Sequence, residues 1–148
     1  MQGPIQISGS CYCGRTSVSS RVQPDIVTYC HCDSCRKVSG APVTAWAAFP
    51  ESEISFRPDE GRVASPNKGV SRSFCPDCGS PLAHRYDYAP DQVFVGVGLL
   101  DQASELEPTM HSHSANCLPW LNITDTIQRM ETTSRTQLSA AAANRKSS

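Results

Sequence analysis

The sequence has no long apolar run, no excess of either charge and few aromatic residues. A membrane-spanning helix needs about 18 or more consecutive apolar residues, and the sequence has no such run, so we predict no transmembrane segment. The formal net charge of −1 argues against a surface for nucleic acid or for an anionic membrane. The N-terminus also lacks the basic and apolar regions of a secretory signal. We therefore expect a cytoplasmic protein.

A change in composition near residue 131 divides the chain. Residues 1–130 are predicted to form one domain with a modest core. From Glu131 onward Thr, Ser, Ala, Asn, Arg and Lys dominate, and Leu138 is the only large apolar residue. Such a segment buries too little apolar surface to offset the entropy cost of ordering. Residues 131–148 are therefore predicted to be a disordered and dispensable tail.

Short apolar stretches, broken by 9 glycines and 11 prolines, predict a mainly β fold. Ile5 and Ile7 alternate with polar residues, as on a half-buried strand. Helical turns are expected only at residues 33–38 and 124–130. The other candidate strands lie near residues 18–22, 26–29, 43–49, 54–56, 70–74, 93–97 and 110–113.

The sequence is rich in cysteine, with eight residues, seven of them in three short clusters. Thiolates two or three residues apart on a tight turn can close on one ion, and zinc prefers about four such ligands in a tetrahedron. Close cysteine pairs in a reducing compartment favour metal over disulfides. Seven thiolates therefore predict one complete zinc site and one that lacks a protein ligand. The clusters are Cys11 with Cys13, Cys30 with Cys32 and Cys35, and Cys75 with Cys78.

The first and third clusters are predicted to share one zinc ion. Each cluster is followed directly by a glycine, Gly14 or Gly79. A glycine after a metal-binding turn permits a positive φ and lets backbone N–H groups point at sulfur. Such a site would tie the N-terminal strand to the middle of the domain, with a folding contribution on the order of 10 kcal/mol.

The middle cluster supplies three ligands, and the sequence leaves its fourth ligand open. A water, an incoming thiol, His111, His113 and Cys117 are all candidates. His31 lies between two of the cysteines, and its side chain is expected to point away from their ion. A closed zinc site stabilises a fold, whereas an open one binds a substrate atom. The cluster therefore predicts a zinc site with an open position, and a closed structural site is the alternative.

Three motifs carry a resemblance to a known family. They are Gly-Ser-Cys-Tyr-Cys-Gly at 9–14, Cys-His-Cys-Asp-Ser-Cys-Arg at 30–36 and Phe-Cys-Pro-Asp-Cys-Gly at 74–79. In this order and spacing they closely resemble the glutathione-dependent formaldehyde-activating enzyme family, to which centromere protein V is related. The resemblance spans about residues 8–122 and implies a small β-tent fold with two zinc ions. It assigns a structural ion to Cys11, Cys13, Cys75 and Cys78, and a catalytic ion to Cys30, Cys32 and Cys35.

The resemblance also implies a carbon–sulfur lyase that joins glutathione and formaldehyde reversibly into S-hydroxymethylglutathione. Because zinc lowers the pKa of a bound thiol, the open position suits a thiolate that attacks an aldehyde carbon. Glutathione carries two carboxylates, so Arg36 and Lys37 are candidate substrate contacts, and Trp46 is a candidate pocket residue. The alternatives are a tailoring or detoxification enzyme with another carbonyl substrate, or a non-enzymatic zinc module that binds a protein partner.

Overall fold

The structure is a computed structural model that describes residues 3–146, and this part of the chain forms eleven β-strands and two α-helices. The mainly β class predicted from the sequence is confirmed. No helix within these residues is long and apolar enough to cross a membrane. The elements are β1 (Ile7–Ser10), β2 (Ser17–Ser20), β3 (Ile26–Cys30), α1 (Asp33–Ser39), β4 (Thr44–Pro50), β5 (Ile54–Arg57), β6 (Arg62–Ala64), β7 (Val70–Phe74), β8 (Pro81–Tyr86), β9 (Gln92–Gly96), β10 (Met110–Ser112), β11 (Gln128–Arg129) and α2 (Arg135–Lys146).

The strands form two sheets. A small antiparallel sheet has the order β1-β2-β5, and a large sheet has the order β11-β10-β3-β4-β9-β8-β7-β6. Neighbours in the large sheet are antiparallel except at β10, which runs parallel to both β3 and β11. Parallel neighbours need a crossover connection. The long segment between β9 and β10 brings the chain to the outer side of β3, and residues 113–127 connect β10 to β11.

The main core lies between the two sheets. Phe49 of β4 and Val93 and Val95 of β9 are fully buried, and they pack in one cluster with Ile7 and Val18 of the small sheet. Successive side chains of a strand point to opposite faces of a sheet. The intervening residues of β4 and β9 therefore lie on the other face of the large sheet.

This other face carries aromatic and polar side chains. Trp46 of β4 pairs with Gly96 of β9, and Phe94 of β9 pairs with His84 of β8. The buried strand β8 was absent from the sequence prediction. Its side chains include the buried Leu82 and the fully buried His84, which the sequence analysis did not identify as core residues.

The C-terminal segment differs from the sequence prediction. Residues 135–146 form helix α2, and Leu138 is only 5% exposed. Leu138 packs with Ile26, Ala48 and Met110 on the second face of the large sheet. The structure therefore differs from the predicted disorder over residues 135–146, where an apolar patch of the sheet covers one leucine. Residues 147–148 of the predicted tail lie outside the described residues.

The segment before α2 forms a strand where helical turns were expected. Within residues 124–130, Gln128–Arg129 form β11 beside β10. The Met130 N–H donates to the His111 carbonyl at 2.8 Å, and the His113 N–H donates to the Thr132 carbonyl at 2.7 Å. These bonds tie residues 128–132 to the edge of the large sheet. The division into a domain and a tail at residue 130 itself stays a prediction.

Candidate metal centres

Four sulfurs meet where two turns approach each other. Cys11 and Cys13 follow β1, Cys75 and Cys78 follow β7, and their four Sγ atoms lie within 4.8 Å of one another. The Sγ atoms are 3.6 Å apart between Cys11 and Cys13 and 3.8 Å apart between Cys13 and Cys75. Tetrahedral zinc with Zn–S bonds of about 2.3 Å places its sulfurs about 3.8 Å apart. The spacing of these sulfurs therefore fits zinc.

The glycines that follow these pairs adopt the predicted backbone conformation. The φ angles are +81° at Gly14 and +77° at Gly79, where a side chain would be strained. The sequence analysis expected backbone N–H groups here to point at sulfur. The N–H groups of Gly14 and Gly79 donate instead to the carbonyls of Cys11 and Cys75, at 3.1 and 2.8 Å. The Cys11 sulfur accepts instead from the N–H of Thr16 at 3.3 Å.

The pKa values of two cysteines in this group are shifted in opposite directions. Hydrogen bonds from Ser80, whose Oγ lies 3.3 Å from the sulfur, lower the pKa of Cys78 to about 5. At Cys13 the N–H of Arg15 lowers the pKa, but desolvation and the neighbouring thiols outweigh it and raise the pKa to about 12. Adjacent like charges disfavour each other. A cation that offsets the charge of neighbouring thiolates would therefore stabilise this group.

The second group of sulfurs lies at the start of α1. Cys30 ends β3, Cys32 is the N-cap of α1, Cys35 lies in its first turn, and all three Sγ atoms lie within 4.8 Å of one another. The Sγ atoms of Cys30 and Cys32 are 3.4 Å apart. The Cys32 sulfur also accepts the N–H of Cys35 at 3.3 Å. It thus takes the capping role that Ser or Asp fills at most helices.

In the three-cysteine group the pKa of Cys32 is lowered, and the pKa values of Cys30 and Cys35 are raised; at Cys35 the hydrogen bond with Cys30 lowers the pKa, but the hydrogen bond and charge of Cys32 and burial outweigh it. Hydrogen bonds from Cys30 and Cys35 hold the pKa of Cys32 well below its usual range. The hydrogen bond to Cys32, then that to Cys35 and burial, raise the pKa of Cys30. The hydrogen bonds among the three sulfurs therefore favour a thiolate at Cys32 over one at Cys30 or Cys35, and a cation would offset the mutual repulsion of three thiolates. Because zinc favours thiolate ligands, the donor set fits zinc here as well.

None of the side chains predicted as fourth ligands joins this group. Within residues 3–146, no further Cys, His, Asp or Glu ligand atom lies within 4.8 Å of all three sulfurs. The Cys117 sulfur donates to the carbonyls of Leu118 and Leu121. His113 lines the pocket beside the sulfurs but lies outside the cluster. His113 has a φ of +54° and lies beyond the end of β10 at Ser112, so the strand expected near residues 110–113 stops before it and His113 does not share a regular strand face with His111.

A small pocket opens directly on this group. It has a volume of about 40 Å³ and is lined by Cys30 and Cys35. Its polar wall contains Ser112, Thr133 and Ser134. Its aromatic wall consists of Trp46, Tyr86, Tyr88 and Phe94. The pocket is therefore narrow, with aromatic rings on one side and hydroxyl groups on another.

A buried basic pair lies behind the aromatic wall. The ring centroids of Trp46 and His84 are 4.4 Å apart, and Arg72 Nη1 lies 2.9 Å from His84 Nδ1. The Arg72 guanidinium also lies 5.6 Å from the centroid of the Tyr86 ring. Burial and then the charge of Arg72 lower the pKa of His84 to about 3. His84 is therefore neutral near pH 7, its Nδ1 accepts from Arg72, and the positive charge of the pair lies on Arg72.

Two of the three predicted substrate contacts, Arg36 and Lys37, lie on α1. Arg36 Nη1 donates to the carbonyls of His31 and Asn116, both at 2.7 Å, and Nη2 pairs with Asp33 at 2.6 Å. Arg36 therefore holds α1 against its surroundings, which leaves the exposed Lys37 as the more accessible cation. Both residues line an open groove of about 600 Å³. Trp46, the third predicted contact, is 5% exposed and lines the pocket over the sulfurs.

A buried hydrogen-bond chain was missed by the sequence analysis. His31 Nε2 lies 2.8 Å from His111 Nδ1, and His111 Nε2 lies 2.9 Å from an oxygen of Asp125. Both histidines are 2% exposed. A carboxylate only accepts, so His111 donates to Asp125 through Nε2; where its Nδ1 carries no proton, that nitrogen accepts from His31 Nε2. The chain directs His31 Nε2 toward His111, and no sequence motif marks Asp125 as its end.

We expect Asp125→Ala to lower the free energy of unfolding, because it leaves the buried His111 ring without its acceptor. Asp77→Ala is the matched control, since Asp77 belongs to an exposed ion pair with Arg15, and exposed pairs contribute little. Urea denaturation of the two variants and the wild type measures the difference. Equal midpoints for the two variants would contradict a structural role for the chain.

A mainly β fold with one four-cysteine and one three-cysteine group defines a class of small cysteine-rich proteins able to hold metal ions. The family model for the glutathione-dependent formaldehyde-activating enzyme matches residues 6–116, and the chain belongs to this family. The family predicted from the three motifs is thereby confirmed. The match ends before β11 and α2.

The proteins similar to this chain include a fission-yeast relative and a bacterial protein of known structure. A Schizosaccharomyces pombe protein named as an uncharacterized lyase is 24% identical over 94 residues, which cover 64% of this chain and 68% of the relative. A crystal structure of a Rhodobacter sphaeroides protein aligns with a TM-score of 0.51 and 17% identity, covering 83% of this chain and 99% of that one. At this identity the second similarity shows the fold alone.

Proposed function

We propose that this protein is a zinc-dependent lyase of the carbon–sulfur type that joins a thiol to an aldehyde reversibly, with glutathione and formaldehyde as the leading pair. The observation that carries the proposal is the three-cysteine group. It lies at a small pocket and lacks a fourth protein ligand within residues 3–146. Membership of the formaldehyde-activating family supports the reaction. The lyase name of the fission-yeast relative supports the enzyme class.

The reaction is an addition of a thiol to a carbonyl group, and it needs no oxidant or reductant. The thiol sulfur bonds to the carbonyl carbon, the carbon–oxygen π bond breaks, and the thiol proton ends on the former carbonyl oxygen. The reverse step cleaves the carbon–sulfur bond. A zinc ion bound by the three cysteines would lower the pKa of a thiol that binds as its fourth ligand.

The side chains around the sulfurs suit this addition. Cys30, Cys32 and Cys35 would hold the ion, and the aromatic wall keeps water from the thiolate. Burial raises the pKa of Tyr86. Partial burial and then the nearby thiolates raise the pKa of Tyr88 to about 12. Both phenols therefore stay protonated near pH 7, and each is a hydrogen-bond donor for the oxygen that gains negative charge.

Glutathione would extend from the sulfurs toward cationic groups. Lys37 is the proposed partner for one of its carboxylates, because Arg36 already binds two carbonyls and Asp33. A carboxylate at Lys37 would form a charge-assisted hydrogen bond. Trp46 would border the thiol as part of the aromatic wall.

A zinc module that binds a protein partner is the second candidate. Two exposed aromatic side chains favour it, since Tyr12 at the tip of the four-cysteine turn is 94% exposed and Trp120 is 67% exposed. Aromatic residues are enriched in protein interfaces. The three-cysteine pocket would have no task in such a module, and we therefore rank the enzyme first.

The test has two measurements. Calorimetry measures glutathione binding, and nuclear magnetic resonance measures the rate at which S-hydroxymethylglutathione exchanges with glutathione and formaldehyde. We expect wild type to bind glutathione and to exceed the spontaneous exchange rate, whereas Cys32→Ser loses both because the ion loses a ligand. Cys117→Ser is the matched control, since Cys117 belongs to neither sulfur group. Its binding and rate should equal those of wild type.

Two outcomes would contradict the proposal. Absence of glutathione binding and of any rate above the spontaneous reaction would reject glutathione as the thiol. If other thiols and aldehydes also gave no acceleration, the reaction class would be rejected, and the partner-binding module would become the better explanation.

A further inference from the structure

One wall of the three-cysteine pocket comes from outside the family match. The match ends at residue 116, yet Thr133 and Ser134 line the pocket together with the cysteines. This wall therefore belongs to the segment that carries β11 and α2. This part of the pocket therefore lies outside the region that the chain shares with its family.

Two contacts fasten the segment across the pocket. The Ser112 hydroxyl donates to the Ser134 hydroxyl at 2.7 Å. The guanidinium carbon of Arg135 lies 5.2 Å from the centroid of the Tyr88 ring, within range of a cation–π contact. Ser112 and Tyr88 line the pocket themselves. The segment thus bridges β10 and the loop after β8, on two sides of the sulfurs.

Helix α2 holds this bridge in place. The Thr133 hydroxyl accepts the N–H of Arg135 at 3.0 Å, which fixes the turn into the helix. Leu138 is buried one turn further on, and Arg145 near the far end pairs with Asp25 at 2.6 Å. Because both ends of the helix are tied to the sheet, residues 133–135 are restrained above the sulfurs.

The space left by this wall is small. The pocket volume of about 40 Å³ corresponds to about three to four water-sized groups, at roughly 10–15 Å³ each. Formaldehyde has two heavy atoms and acetaldehyde three, so either aldehyde fits in such a space together with the sulfur of a thiol. A benzene ring on the carbonyl carbon does not fit.

We propose that residues 133–135, held by α2, set an upper limit on the size of the molecule that reaches the three sulfurs. The carbonyl substrates are then aldehydes of one or two carbons. The substrate class rests on the proposed function, whereas the size limit itself is a property of the pocket. The two parts can therefore be tested separately.

The size limit is tested without turnover, by alkylation of the zinc-loaded full-length protein. Iodoacetamide is the small reagent and N-phenylmaleimide the bulky one, and mass spectrometry gives the rates at the peptide containing Cys30 to Cys35. We expect Arg135→Ala and Ser134→Gly to raise the bulky-to-small rate ratio about tenfold, which is about 1.4 kcal/mol. Thr136→Ala is the matched control, because Thr136 is an exposed neighbour in α2, and its ratio should equal that of wild type.

Turnover of a size series tests the substrate class. Wild type should accelerate addition of glutathione to formaldehyde and acetaldehyde but not to benzaldehyde, and Arg135→Ala should extend acceleration to benzaldehyde. Unchanged alkylation ratios in both variants, or wild-type turnover of benzaldehyde, would overturn the size limit. Changed ratios without turnover of any aldehyde would keep the size limit and reject the proposed function.

Discussion

Cys78→Ser is expected to prevent the chain from folding, whereas Cys32→Ser should leave a folded protein with about one bound metal ion. The four-cysteine group joins a turn of the small sheet to a turn of the large sheet, since β1 and β7 belong to different sheets. An ion there cross-links the two layers. A structural zinc contributes on the order of 10 kcal/mol, comparable with the whole stability of about 5–15 kcal/mol of a typical domain.

The three-cysteine group has a different position in the chain. Its sulfurs lie within six consecutive residues, 30–35, and join only the end of β3 to α1. Loss of this ion therefore leaves the packing of the two sheets intact. Metal analysis with thermal denaturation measures both effects, and Cys117→Ser serves as the cysteine control. If Cys78→Ser and Cys32→Ser collapsed to the same extent, the division into a structural and an open site would be wrong.

Leu138→Ala is expected to lower the free energy of unfolding by about 2–5 kcal/mol, the usual cost of truncating a buried leucine to alanine. Leu138 is 5% exposed and packs with Ile26 and Met110, so its removal leaves a cavity under α2. A chain ending at Glu131 should lose at least as much. This expectation reverses the sequence prediction that the tail is dispensable.

Urea unfolding of the zinc-loaded protein provides the measurement for Leu138. Ser139→Ala is the matched control, because Ser139 is the exposed next residue in α2, and its midpoint should stay close to that of wild type. An unchanged midpoint for Leu138→Ala would show that α2 contributes nothing to the folded state and would restore the dispensable tail.

Local features were well predicted from the sequence. The helical turn expected at residues 33–38 is α1 (Asp33–Ser39), and the expected positive φ occurs at Gly14 and Gly79. The apolar stretches near residues 43–49 and 93–97 became β4 and β9. These features depend on neighbours in the chain, so composition and spacing are enough to find them.

Elements that depend on distant partners were missed. Strand β8 contains the polar residues His84 and Arg85, so its sequence does not alternate between apolar and polar residues as a half-buried strand does. His84 is buried because Arg72 and Trp46 pack against it. β11 has two residues and exists only because β10 offers a free edge. A strand of this kind has no signature of its own, since the hydrogen bonds that define it lie in another segment.

The sequence by itself determined the family, the mainly β class and the two sets of cysteines, because the spacing of thiols on tight turns is a local property. Only the tertiary structure decided which side chains surround the second set. Tyr88, Ser112 and Ser134 reach the pocket from separate parts of the chain, and α2 is ordered because the sheet had already formed an apolar patch for Leu138. Burial of one side chain depends on where all the others lie, and a linear pattern does not contain that information.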